Sequence, residues 1–111
     1  MVFSESLKKN SDFTRVYRRG VSKANRQLVM YIYHNNTDRN RLGISVSKKV
    51  GNSVVRHHLT RLIRESYRLN EEMFISGLDI VVVVRENSAS ANFAEIQKSL
   101  LHLANLHKVT R

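Results

Sequence analysis

With 111 residues, 41% of them hydrophobic, the chain has material for one domain around one modest core, and too much apolar content for a disordered tail. It has no cysteine, which excludes disulfides and thiolate zinc sites and fits a reducing compartment. The net charge of +10 is segregated: Lys8 to Arg26 carries seven basic residues against Asp12 alone, Arg41 to Arg68 carries seven against Glu65 alone, and the remainder is slightly acidic. A field divided in this way suits a polyanion, whose counterions are released when its phosphates are neutralised; an anionic membrane or an acidic protein is the weaker alternative.

Met1 to Asn10 has no long apolar region, so no secretory signal is expected, and no apolar run approaches the length of a bilayer span. A cytoplasmic protein is expected. Asn10 or Ser11 is positioned to cap a short helix that Gly20 ends. Phe13, Val16 and Tyr17 then share one helix face. Leu28 to Tyr33 is a strand with Leu28, Met30 and Ile32 on one face and Val29, Tyr31 and Tyr33 on the other. The polar stretch His34 to Asn40 is a turn, and a hairpin is the economical connection to the next strand.

That strand, Arg41 to Ser47, alternates cleanly. Leu42, Ile44 and Val46 form an apolar face; Arg41, Gly43, Ser45 and Ser47 form a small polar one, open either to water or to a polymer lying close over Gly43. After Gly51, Asn52 or Ser53 caps a helix running to about Leu69. Its buried stripe is expected at Val55, Leu59, Leu62 and Ile63, with Arg56, Arg61, Arg64 and Arg68 outside it. Ile80 to Val84 is five β-branched residues in a row, which predicts a strand buried on both faces near the middle of a sheet. Asn92 with Glu95 forms a capping box for a last helix, whose period runs through Phe93, Ile96, Leu100, Leu103, Ala104 and His107. Phe93 is expected in the core. The fold class is α+β: one domain over 1–111, in the order α-β-β-(β)-α-β-α, with helices packed on a central, mostly antiparallel sheet.

No catalytic constellation is present. The five histidines fall in no zinc-binding pattern, and His57 and His58, being adjacent on a helix, point to different sides. There is no Walker loop, no dinucleotide fingerprint, and too few acids to cage magnesium. A helix-turn-helix DNA binder would need a second helix directly before Asn52, where a strand is expected instead. Phe13, Tyr17, Tyr31 and Tyr33 can supply a stacking platform for single-stranded RNA, with Lys9, Arg15, Asn25 and Arg26 near phosphates; the plainer reading puts these aromatics in the core. Lys48, Lys49 and Asn52 sit at a helix entrance, where backbone N–H groups favour phosphate.

The stretch KKVGNSVVRHHLTRLIRESYR, Lys48 to Arg68, resembles the protein subunit of bacterial ribonuclease P. The flanks RLGISVS and ANRQLVMY, the opening LKKNSDFTRVYRRG and the late KSLLHL resemble the same family in the same order, over almost the whole chain. Two features depart from it. The family's Arg-Asn-Arg signature reads Arg56, His57, His58 here, and Thr60 stands where a lysine is usual, so two positive charges are lost or made pH-dependent.

The resemblance implies a left-handed βαβ crossover and a fold like the second domain of a ribosomal protein. It implies a non-catalytic partner of a catalytic RNA, which with its own Mg2+ removes the 5′ leader from precursor tRNA. No cofactor or metal bound by the protein alone, no membrane and no obligate protein partner are implied. The basic helix would contact the catalytic RNA through Lys48, Lys49, Asn52, Arg56, His58, Arg61, Arg64 and Arg68. A cleft between the first helix and the open sheet face would take the leader through Lys9, Phe13, Arg15, Tyr17, Asn25, Arg26 and Tyr31. A structural RNA-binding protein, such as a ribosomal component, is the alternative function.

Overall fold

A computed structural model describes residues 1–111. Five strands form one mixed sheet: β1 (Ser4–Ser6), β2 (Val21–Ala24), β3 (Leu28–His34), β4 (Asn40–Ser45) and β5 (Leu78–Val84), in the spatial order β1–β4–β5–β3–β2. β5 takes the centre, as its β-branched run predicts. Ile80 and Val82 enter a large core on one side of the sheet, and Val81 enters a small one on the other. β2–β3 and β3–β5 are antiparallel; β5–β4 and β4–β1 are parallel.

The expected hairpin is not formed. The strands on either side of the turn after His34 are separated by β5, which pairs with β3 over Leu28–His34 and with β4 over Arg41–Ser45. A strand apolar on both faces gains most from a central position, whereas β4 has only one apolar face. The link from β4 to β5 is therefore a crossover between adjacent parallel strands, made by helix α2 (Ser53–Asn70). β1 has no apolar pattern and was invisible in the sequence. It pairs with the edge of β4, and the Glu71 carboxylate accepts the backbone N–H groups of Val2 (2.7 Å) and Phe3 (3.3 Å) beside it.

The large core lies between the sheet and two helices, α2 and α3 (Phe93–Leu106). Leu28, Met30, Ile32 and Leu42 from the sheet meet Leu59, Ile63 and Tyr67 from α2 and Ile96, Leu100 and Leu103 from α3. The α2 stripe is shifted from the one expected. Leu59 and Ile63 are fully buried, but Val55 and Leu62 are only partly so, and Ser66 and Tyr67 extend the buried face. Tyr67 can enter the core because its hydroxyl shares a 2.8 Å hydrogen bond with that of Ser4. α3 begins with the expected capping box: Asn92 Oδ1 accepts from Glu95 N (2.9 Å) and Glu95 Oε1 from Asn92 N (3.0 Å). Phe93, expected in the core, is half-buried at the first turn of α3.

Helix α1 (Asn10–Arg19) packs on the opposite face of the sheet, over β3 and β5. Its N-cap position is Lys9 rather than Asn10 or Ser11, and no side chain caps it. Gly20 ends it as expected, its N–H donating to Val16 O. Only Leu7, Val16 and Val81 are fully packed here, with Phe13, Tyr31, Tyr33 and Val83 partly buried around them. The molecule thus has three layers: α1, the sheet, and the α2–α3 pair.

Candidate nucleic-acid interface

The layering sends the bulk of the two basic segments to opposite sides of the sheet; the exceptions are Arg41, which bonds Asp12 on α1, and Lys23, which pairs with Met30 and faces the α2–α3 side. On one side, α2 is anchored by Leu59, Ile63 and Tyr67, which leaves the opposite helix face outward. His57, His58, Arg61, Arg64 and Arg68 are exposed; Arg56 is half-buried, with its Nε buried and unpartnered. Lys48 and Lys49 are exposed in the turn that precedes the helix. Asn52 is the N-cap, its Oδ1 accepting from Val55 N at 3.0 Å, so that oxygen is committed to the helix. Thr60 turns inward to donate to Arg56 O (2.9 Å). Arg68 is held by Glu65 one turn back, which lowers the carboxyl's pKa through the hydrogen bond it accepts. Such an exposed pair is worth little, so phosphate can compete for this arginine. A groove between α2 and α3 is lined by His58, Arg61, Arg64 and Phe93, among others.

On the other side, three aromatic rings run from α1 onto β3. Phe13 and Tyr17 lie 6.3 Å apart between centroids, and Tyr17 meets Tyr31 edge-on at 5.0 Å. Tyr17 is the most open of them, at 40% exposure. Phe13 is half-buried, and its ring covers Gly43: a Cβ on that glycine would lie 2.7 Å from Phe13 Cζ. The bare patch at Gly43 thus admits Phe13 rather than an external polymer. Tyr33 is partly buried in the same small cluster. Lys8, Lys9, Arg18 and Arg19 are exposed on and before α1, and Arg26 after β2; Lys23, exposed on β2, pairs with Met30 and so faces the α2–α3 side.

Two of the expected cleft residues are less free than the sequence suggested. Asn25 is used by the fold: Oδ1 accepts from the N–H groups of Gln27 (3.2 Å) and Leu28 (3.0 Å), and Nδ2 donates to Ser99 O (3.0 Å) on α3, the other side of the sheet. Its amide organises the β2–β3 turn and is not available to a phosphate. Arg15 donates to Asp12 Oδ1 at 2.9 Å. Asp12 also receives Arg41 Nη1 at 3.3 Å, and Arg41 makes a bidentate pair with the fully buried Asp79, from Nε (2.8 Å) and Nη2 (2.7 Å). The bond to Asp79 raises the Arg41 pKa, so Arg41 is a fixed structural cation and no part of a free basic surface. Asp12 and Asp79 were passed over in the sequence. Their signal was the placing of a lone acid among seven bases and of another directly before the β-branched run.

These acids are consumed by arginines, and no group of three His, Asp or Glu side chains is arranged to hold a metal ion. No helix is long and apolar enough to cross a membrane. What the geometry supplies is two basic surfaces, one of them aromatic.

The family model for ribonuclease P matches residues 1–108. The chain belongs to the ribonuclease P protein family. It is 60% identical to the ribonuclease P protein component of Lachnoclostridium phytofermentans, over 96% of this chain and 91% of that one. It is 49% identical to that of Alkaliphilus metalliredigens, over 98% of both. Among solved structures, the RNase P protein of Staphylococcus aureus superposes with a TM-score of 0.88 at 42% identity, covering 96% of this chain and 97% of that one. The RNase P protein of Thermotoga maritima gives 0.84 at 31% identity, covering 91% and 96%. The three-layer α+β fold is therefore that of the ribonuclease P proteins.

Proposed function

We propose that this chain is the RNA-binding subunit of a ribonuclease P, using its two basic surfaces for two different RNAs. The observation that carries this reading is their separation by the sheet: a cationic helix face on one side, a cationic aromatic cleft on the other, in a chain of this family. The α2 side, through Lys48, Lys49, Arg56, His58, Arg61, Arg64 and Arg68 with the helix entrance at Asn52, docks on the catalytic RNA. Arginine suits this role because its planar fork meets phosphate in a bidentate manner. The α1 side takes the single-stranded 5′ leader of precursor tRNA. Tyr17 and Tyr31 stack on bases, with Phe13 beneath them and Lys9 and Arg26 on phosphates; each stacked base contributes about 1–3 kcal/mol.

The chemistry of leader removal then belongs to the RNA, with magnesium held by RNA oxygens, and the protein contributes affinity and positioning. It works in the cytoplasm with no obligate protein partner. The test is reconstitution with the cognate catalytic RNA at low magnesium. The chain should raise precursor-tRNA cleavage and tighten binding of leader-bearing over leaderless tRNA. If it improved neither, the assignment would be wrong.

A further inference from the structure

The ring cluster of the cleft has little apolar support. Three fully buried residues hold α1 to the sheet, against nineteen in the core on the other side. What ties α1 down in addition is a run of charged and polar side chains: Arg15 to Asp12 on the helix, Asp12 to Arg41 on β4, Arg41 to Asp79 on β5, and Asp79 to Asn35, whose Nδ2 donates at 2.9 Å. Asp12 is the one link between helix and sheet in this run, and its side chain is only 13% exposed. Asp12 directly precedes Phe13 and lies on the same helix as Tyr17, so its bond to Arg41 ties to β4 the part of α1 that carries both rings.

We infer that Asp12 is a positioning residue for leader binding, holding α1 so that Phe13, Tyr17 and Tyr31 form one stacking platform. This rests on the reading of the α1 side as the leader cleft. Asp12 is an acid in a basic surface and also neutralises part of Arg15. On charge alone, its removal strengthens RNA binding. If it positions the rings, its removal weakens leader binding in spite of the added positive charge.

The experiment uses the reconstituted holoenzyme and compares leader-bearing with leaderless tRNA, well below the unfolding temperature of each variant. Asp12→Asn should lower the affinity gain due to the leader by about fivefold, a typical size for a coupling mutation. Binding of the catalytic RNA should be unchanged, and Asp12→Glu, which keeps the charge, should recover part of the loss. Tyr17→Ala serves as the control for the cleft itself. If Asp12 acts through the rings, Asp12→Asn combined with Tyr17→Ala should be no worse than Tyr17→Ala alone. Should Tyr17→Ala leave the leader effect intact, the cleft assignment fails. If Tyr17→Ala abolishes the effect while Asp12→Asn preserves or strengthens it, the cleft stands and the positioning role fails. Equal losses on both RNAs, or a double variant showing additive losses, also overturn it.

Discussion

At the scale of single residues, Gly43 is the position where packing and recognition meet. It lies on the face of β4 turned toward α1, and the ring of Phe13 occupies the space a side chain would fill. Gly43→Ala would force that ring outward, because the new methyl would also press on Leu7 Cβ at 3.2 Å. The cost in stability should be about 1–2 kcal/mol, the usual range for overpacking. Leader affinity should fall with it, while catalytic-RNA affinity stays the same; thermal unfolding and the two binding assays check this together. Phe13 thus acts as both core and cleft, and no pattern in the sequence separates these roles. The periodicity placed it correctly beside Val16 and Tyr17. That its ring would lie on Gly43 depends on the stacking of α1 over the sheet, which a one-dimensional pattern does not hold. Asn25 was misjudged for the opposite reason. Its side chain is drawn across to Ser99, 74 positions away in the chain, and nothing local to Asn25 announces that partner.

At the scale of elements, α2 was the most legible, because its cap and its register are local. Asn52 caps it, and Leu59 and Ile63 are buried as their spacing requires. Its second half was harder to read. Ser66 and Tyr67 are polar by type, and the burial of Tyr67 depends on Ser4, a residue of a three-residue strand with no apolar signature. The exposed arginines follow from the buried ones by subtraction. Replacing Arg61 and Arg64 together with alanine should weaken catalytic-RNA binding and flatten the salt dependence of log affinity by about 1.5, from two phosphate contacts at about 0.7–0.9 each. The leader-dependent part of tRNA binding should not move, since those side chains are on the far side of the sheet from Tyr17. Measuring both affinities across a salt series separates the two surfaces. A loss in both RNAs would show that they are not independent. The sheet was only half legible. The central place of β5 was readable from its composition, whereas the missing hairpin was not, because proximity in sequence gives no warning of a third strand that will intervene.

At the scale of the whole molecule, acid should loosen the fold in two stages. His107 closes α3 with its Nε2 2.9 Å from Met30 O. Burial, reinforced by the charge of Lys23, holds its pKa below the ordinary 6.5, and the hydrogen bond to Met30 only partly opposes this. The folded chain therefore keeps His107 neutral while the unfolded chain takes up the proton. Its contribution to stability is complete above 6.5 and is lost as the pH falls from there toward the lower folded value. Glu71 follows further down. Burial would raise its pKa, but the N–H of Val2, with Ser4, Phe3 and the N-terminal charge, outweighs this and holds it below 4.5. Its contribution is present above 4.5 and disappears below it. Urea unfolding between pH 8 and pH 3.5 should show decreasing stability, first below 6.5 and again below 4.5. His107→Gln should remove the first decline and leave the second.

The insertion of β5 between β3 and β4 also has a consequence in time. Strands β3 and β4 end by residue 45, yet neither has its principal partner until residues 78–84 exist. As the chain leaves the ribosome, the first half of the sheet stays incomplete, with open edges, until β5 has emerged. Both ladders closed by β5 join residues far apart in sequence, a topology that slows folding and lengthens the exposure of unpaired strands. A polyanion that bound the early basic segments before the sheet had closed would meet a cationic chain still in search of its centre.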